Sequence, residues 1–286
     1  MIYGLIAAVG WGLADFFGAV VGRRIGSLWT VIVAQTFTAL ASTLIVVVSG
    51  SHIGPITTLI VAAVVLNGVF SATAYITHYK ALQLGPVAVV SPVGATYAAV
   101  GVVLAIVVLG ERPSALALVG GVVTIVGVML TSTDLRKLRA GTHGVPPGLP
   151  WAIVSAVGFG VGGFLLAYLS RQLGWVVGLW VSRCAQLVGF AVVGLAQRRE
   201  LRGGFPVGVW LAGALGVGLA DLMGVIAFAS GTHAGYISIV LVASAVFPVI
   251  AVALSVAYLG ERPVPNQYAG VGLTVLGLLI LGLGAP

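Results

Sequence analysis

Ten long, almost uncharged apolar runs succeed one another along this chain, separated by short connections. They fall at about 2–21, 27–49, 57–79, 87–109, 114–131, 150–169, 175–196, 207–229, 236–259 and 266–283. Each is close to the ~20 apolar residues that a helix needs to cross a bilayer. Together they consume nearly all of the 286 residues, so no length is left for a water-soluble catalytic domain. Charge agrees with this reading. Only 7% of the residues are charged, where a soluble domain carries roughly 25%, and mean hydropathy is +1.19. A transmembrane β-barrel would alternate polar and apolar residues in shorter segments. These runs are continuously apolar, which predicts helices. The 42 glycines predict close helix packing, because small residues let backbones approach in lipid.

The chain is duplicated. Leu109-Gly110-Glu111-Arg112-Pro113 recurs as Leu259-Gly260-Glu261-Arg262-Pro263. Gly120, Thr124 and Gly127 follow the first copy as Gly270, Thr274 and Gly277 follow the second, and Gly85 and Gly235 precede them. Gly10-Trp11-Gly12 matches Gly158-Phe159-Gly160. The boundaries expected are a first five-helix repeat at 1–133, a basic connecting loop at 134–149 and a second repeat at 150–286. Five crossings per repeat force the second copy to enter the membrane from the opposite side. The expected architecture is therefore all-α, with ten transmembrane helices in two inverted repeats. Such repeats build transporters whose substrate site lies near the midplane where the halves meet.

The net charge of +7 does not point to nucleic acid. The basic residues sit in short loops, where they would meet anionic headgroups. The end bearing Arg23, Arg24, Lys80, Arg136, Lys137, Arg139, Arg198, Arg199, Arg202 and Arg262 outweighs the end bearing Arg112 and Arg171. The positive-inside rule makes the first end cytoplasmic and puts both termini outside. One cysteine, Cys184, excludes an intrachain disulfide, and Met1-Ile2-Tyr3 shows no basic region of a cleaved signal.

Three charges interrupt the apolar runs: Asp15, Arg183 and Asp221. A charge at the bilayer centre costs about 2.5–3.5 kcal/mol on insertion scales, so it faces the bundle interior and finds a partner. Depth along adjacent antiparallel helices pairs Arg183 with Asp221 and puts Asp15 level with Gln35, the repeat counterpart of Arg183. Substrate binding or proton coupling is one reading of these groups; helix-fixing pairs are the other. A carboxylate moved out of water takes up a proton more readily, which makes Asp15 and Asp221 candidates for coupling.

Trp11 and Asp15 share one face of the first helix with Gly18 and Gly22. Tyr75, His78 and Tyr79 lie near the end of the third run. His78 is read either as hydrated or as a proton relay, and Tyr79 as an interfacial tyrosine. Tyr97 and Phe247 stand 14 residues before the two motif glutamates, in helices that Pro92 and Pro248 interrupt. Trp180 and Phe228 are further aromatic candidates for a cavity. Gly110, Glu111 and Arg112, with Gly260, Glu261 and Arg262, are read as structural turns whose charges meet headgroups. No catalytic constellation, metal-ligand cluster or cofactor-binding loop is found. No enzyme activity, metal or cofactor is expected, although an intramembrane enzyme acting on a lipophilic substrate, or a channel, is the alternative.

The two halves, the Gly-Glu-Arg motif ending runs four and nine and the Gly-Trp-Gly of run one resemble the drug/metabolite transporter superfamily, in particular its EamA-type ten-helix group. That resemblance implies a secondary transporter in the cell membrane, commonly an exporter of amino acids or other small metabolites, working by alternating access around a central cavity. It also implies cytoplasmic termini, against the charge count. The expected partners are a small-molecule substrate, the lipid bilayer and protons. A monomer is expected, with a dimer left open.

Overall fold

The computed structural model describes residues 1–132, 147–198, 201, 204–260 and 264–284. Twelve helices carry the described chain: α1 Ile2–Ile25, α2 Ser27–Ser49, α3 Thr58–Leu84, α4 Val87–Ala95, α5 Tyr97–Leu109, α6 Ala115–Ser132, α7 Leu149–Leu173, α8 Trp175–Ala196, α9 Val209–Ala234, α10 Ile237–Ser244, α11 Phe247–Leu259 and α12 Pro265–Leu283. Helices α4 and α5 form one broken rod, as do α10 and α11, so the ten apolar runs become ten rods. Eight of these are long and apolar enough to cross a membrane; α6 and α12 contribute two shorter apolar helices. A helix satisfies its own backbone polar groups where no water can. Large apolar side chains stand exposed around the outside, among them Leu44, Val107, Val188 and Leu279, as lipid-facing residues do. The chain is an all-α multi-pass integral membrane protein.

The two broken rods show what the repeated motifs do locally. Gly110 and Gly260 close α5 and α11 in the left-handed conformation, at φ 67° and 68°, which glycine adopts without steric cost. The breaks fall at Thr96, four residues past Pro92, and at Ala245–Val246, with Phe247 between the break and Pro248. Pro248 occupies the first turn of α11, where its missing N–H is not needed. Tyr97 and Phe247 thus begin the second half of each rod.

Packing repeats across the halves. Helix α1 lies against α9 as α7 lies against α3, and α1 meets α11 as α7 meets α5. The repeated glycines make these crossings. A methyl on Gly12 would lie 2.7 Å from the Phe247 carbonyl oxygen, and one on Gly160 would lie 2.8 Å from that of Tyr97. Helices α6 and α12 pack on each other, with Gly127 against Thr274 and Gly277 against Thr124. Each repeat therefore buries its first helix in the other repeat, and the space between them is the centre of the molecule.

Candidate functional site

A cavity opens in that centre, and both repeats line it. Two polar clusters face it. In the first, Asp15 of α1 meets His78 of α3, with Nε2 2.8 Å from Oδ1. The Ser91 hydroxyl of α4 donates to the other carboxylate oxygen. Behind the imidazole, Ser155 Oγ of α7 lies 3.4 Å from Nδ1. Ser155 gives its single proton to the Ala152 carbonyl at 2.8 Å, so it turns lone pairs toward Nδ1. Asp15 and His78 are both buried.

The second cluster joins four helices. Asp221 of α9 accepts Tyr75 Oη from α3 at 2.8 Å and Gln35 Nε2 from α2 at 3.1 Å. Arg183 of α8 stands 3.5 Å from Asp221 Oδ2. Its Nη1 donates to Gln35 Oε1, Tyr75 Oη and Gln186 Oε1 at 2.8, 3.1 and 2.9 Å. The guanidinium also lies over the Tyr75 ring, 5.3 Å from its centroid. Its Nε–H has no acceptor among the described residues. Buried charges persist when paired and hydrogen-bonded in this manner.

Aromatic rings make the remaining wall. Trp11 packs on Phe228 at 5.5 Å and on the edge of Tyr97 at 6.1 Å. Tyr97 faces Phe247 at 6.5 Å and hydrogen-bonds the Ser244 hydroxyl. Phe159 stands edge-on to Tyr75 at 4.9 Å and lies 5.4 Å from the His78 ring.

The structure joins Arg183 to Asp221, and it joins Gln35 to Arg183, its repeat counterpart. It does not join Asp15 to Gln35; Asp15 takes His78 and Ser91 instead. Three expectations change. Helix α3 runs five residues past the apolar run read from the sequence, to Leu84. His78 is therefore enclosed rather than at a hydrated helix end. Tyr79, expected at the interface, is buried and stacks with Tyr75 at 6.5 Å. Trp180 is not among the cavity-lining residues; its Nε1 donates to Thr43 at 3.0 Å, in an exposed position between α8 and α2. Sequence reasoning missed Ser91, Ser155, Gln186 and Phe159. Two of them carried a signal: Gln186 follows Arg183 by one helical turn, and Phe159 is the repeat counterpart of Trp11.

Comparison with known proteins follows from this geometry. The model of the EamA-like transporter family matches residues 1–133 and again 146–283. The chain belongs to the EamA-like transporter family. Among curated proteins none matches the sequence. A solved crystal structure superposes with a TM-score of 0.76 over 99% of each chain at 17% identity, which speaks for the fold. Members of the EamA-like family are transporters rather than enzymes, and this chain is a membrane transporter of small molecules.

Within this EamA-like fold the Gly-Glu-Arg motif acquires a function its sequence did not disclose. Glu111 is buried and does not meet headgroups. Its Oε1 accepts the Ile237 N–H at 2.9 Å and its Oε2 the Ser238 N–H at 3.1 Å, so it caps half-helix α10 of the other repeat. Arg171 of α7 bridges to Glu111 at 2.8 Å and donates to the Gly235 and Thr232 carbonyls. Arg112 beside it is exposed. Arg23, the counterpart of Arg171, donates to the Gly85 carbonyl at 3.0 Å at the opposite end of the bundle. Glu261 and Arg262 lie outside the described residues. Glu111→Ala is expected to cost about 0.5–2 kcal/mol, the range for a lost helix cap, with Glu111→Gln milder; thermal unfolding in detergent measures both. Equal stability of the alanine variant and the parent would exclude the capping role.

Proposed function

We propose that this protein is a secondary active transporter in the cell membrane that exports a small metabolite, such as an amino acid, by alternating access. Protons drive it through Asp15 and His78. The observation that carries the reading is the charge balance of the central cavity. Asp15, Asp221 and Arg183 leave one negative charge when His78 is neutral. An uncompensated charge at that depth is costly, so a proton or a cationic group has to accompany it. With Ser155 offering lone pairs to Nδ1 and Asp15 standing at Nε2, the pair is suited to hold one proton. A substrate ammonium arriving at Asp15 would release that proton, which is antiport by competition. The unmatched Arg183 Nε–H supports recognition of a carboxylate on the same substrate.

The five-helix units at 1–133 and 150–286, joined through 134–149, would be the bodies that rock about the cavity, since each buries its first helix in the other. Binding partners are then a small-molecule substrate, protons and the bilayer, and one chain holds the whole cavity, which favours a monomer. Purified protein in liposomes is expected to give saturable counterflow of a labelled amino acid, and accumulation that follows an imposed pH gradient. Flux without saturation would favour a channel. Chemical conversion of the added compound without translocation would favour an enzyme.

Orientation has a separate test. In a Cys184→Ser background, Ser51→Cys and Arg198→Cys place single thiols at opposite ends of the bundle. The charge count expects an impermeant maleimide to label the first on intact cells and the second only after permeabilisation. The reverse pattern would put the termini in the cytoplasm.

A further inference from the structure

The duplicated chain places Gly163 where the first repeat has Asp15, at the spacing that also relates Trp11 to Phe159 and Gln35 to Arg183. Phe228 stands for His78 and Leu241 for Ser91, at the spacing that relates Tyr97 to Phe247. The folded chain keeps this correspondence. A methyl on Gly163 would lie 3.8 Å from Leu241 Cδ2 and 3.9 Å from Phe228 Cζ, the counterparts of the two residues that hydrogen-bond Asp15. One lobe of the cavity is thus acid, imidazole and hydroxyl. Its partner lobe is bare backbone, phenyl and isobutyl, continued by Leu166 on the cavity wall.

Packing does not demand a glycine at 163. At the adjacent Gly162 a methyl would come 2.3 Å from Ser71 Oγ, so close approach fixes that residue. At Gly163 the same methyl meets only ordinary van der Waals contacts in a partly open position lining the cavity. Glycine inside a helix is less favourable than alanine. Here that cost preserves empty space opposite the charged lobe.

We propose that Gly163, Phe228 and Leu166, backed by the buried Leu241, form an apolar slot that receives the hydrocarbon part of the substrate and sets its size, while Asp15 receives the ammonium. The substrate class is a small amine or amino acid with an apolar side chain. This rests on the transport reading above and adds the determinant of selectivity. A hydrophobic pocket discriminates by roughly 10–200-fold per methylene, so a change of one or two carbons in the slot is measurable.

The test uses the full chain in liposomes, with labelled alanine, valine, leucine and phenylalanine as graded probes, and binding of the same series to detergent-solubilised protein. Gly163→Ala is expected to cut flux of the largest accepted probe by about tenfold or more and leave the smallest within about twofold. Leu241→Ala removes the side chain packed behind Gly163 and is expected to deepen the slot, shifting acceptance toward larger probes. The two opposed shifts separate a slot from general damage. A size profile unchanged by both variants, with wild-type flux intact, would overturn the slot and leave the carrier standing. Size-graded binding without flux would sustain the slot and overturn the carrier. Neither binding nor flux in the wild type would overturn both.

Discussion

Asp221→Asn is expected to abolish transport and to destabilise the protein by about 3–5 kcal/mol, the range for removing one partner of a buried ion pair. The carboxylate accepts from Tyr75 and Gln35 and pairs with the Arg183 guanidinium at 3.5 Å. An asparagine offers one carbonyl and one NH2. Whichever way it turns, its amide hydrogens face either the Tyr75 hydroxyl or the Gln35 and Arg183 donors, and Arg183 loses its counter-charge. Arg183→Met is expected to be similarly costly, because it strands Asp221. The double variant Asp221→Leu with Arg183→Met removes both charges and is expected to be more stable than either single variant. Thermal unfolding of the parent, Asp221→Leu, Arg183→Met and their double variant in one detergent forms the mutant cycle. Additive losses would mean that the two charges are not coupled, and a loss below about 1 kcal/mol for Asp221→Asn would place the pair among exposed ones.

Asp15→Asn is expected to separate binding from energy coupling. Asparagine can keep its oxygen for the Ser91 hydroxyl and turn its NH2 toward His78 Nε2, so the cluster can remain packed. What disappears is the carboxylate that, in the proposed mechanism, shares a proton with the imidazole. Accumulation driven by a pH gradient is expected to fall roughly 5–150-fold, the span of a coupling free energy of about 1–3 kcal/mol. Counterflow at equal pH on both sides is expected to survive, though with weaker affinity for the ammonium. Undiminished gradient-driven accumulation by Asp15→Asn would remove the proton from the mechanism. Loss of counterflow alone, with coupling intact, would assign Asp15 to binding only.

The residues that sequence reading could not assemble share one physical property. Asp15 and His78 are 63 positions apart, and Tyr75 and Asp221 are 146 apart. Such contacts depend on how each helix is rotated about its axis. In a soluble protein an amphipathic stripe announces that rotation. Here the helices are apolar on nearly every side, because lipid and core are equally apolar, and the stripe is absent. Depth along the axis could be counted, and it found Arg183 and Asp221. Depth alone also suggested Asp15 with Gln35, and rotation refuted that. Trp180 shows the same gap: an aromatic at the right depth can still point at Thr43 rather than at the cavity. Glu111 shows another, since only the fold reveals that the end of one repeat's rod meets the start of a half-helix in the other.

The sequence by itself determined the solvent, the number of apolar rods and the inverted duplication. Length and continuity of the apolar runs decide crossing, and five rods per copy decide inversion. It also determined which charges had to lie inside, because 19 charged side chains among so many apolar residues leave few to place. Tertiary structure alone decided which of those groups meet. It brought His78 to Asp15, gathered Gln35, Tyr75, Arg183, Gln186 and Asp221 into one network, and set Gly163 opposite the acid it replaces. The reason is geometric: hydrophobicity sets how deep a residue lies in a bilayer, whereas the fit of one helix surface against another sets what it faces.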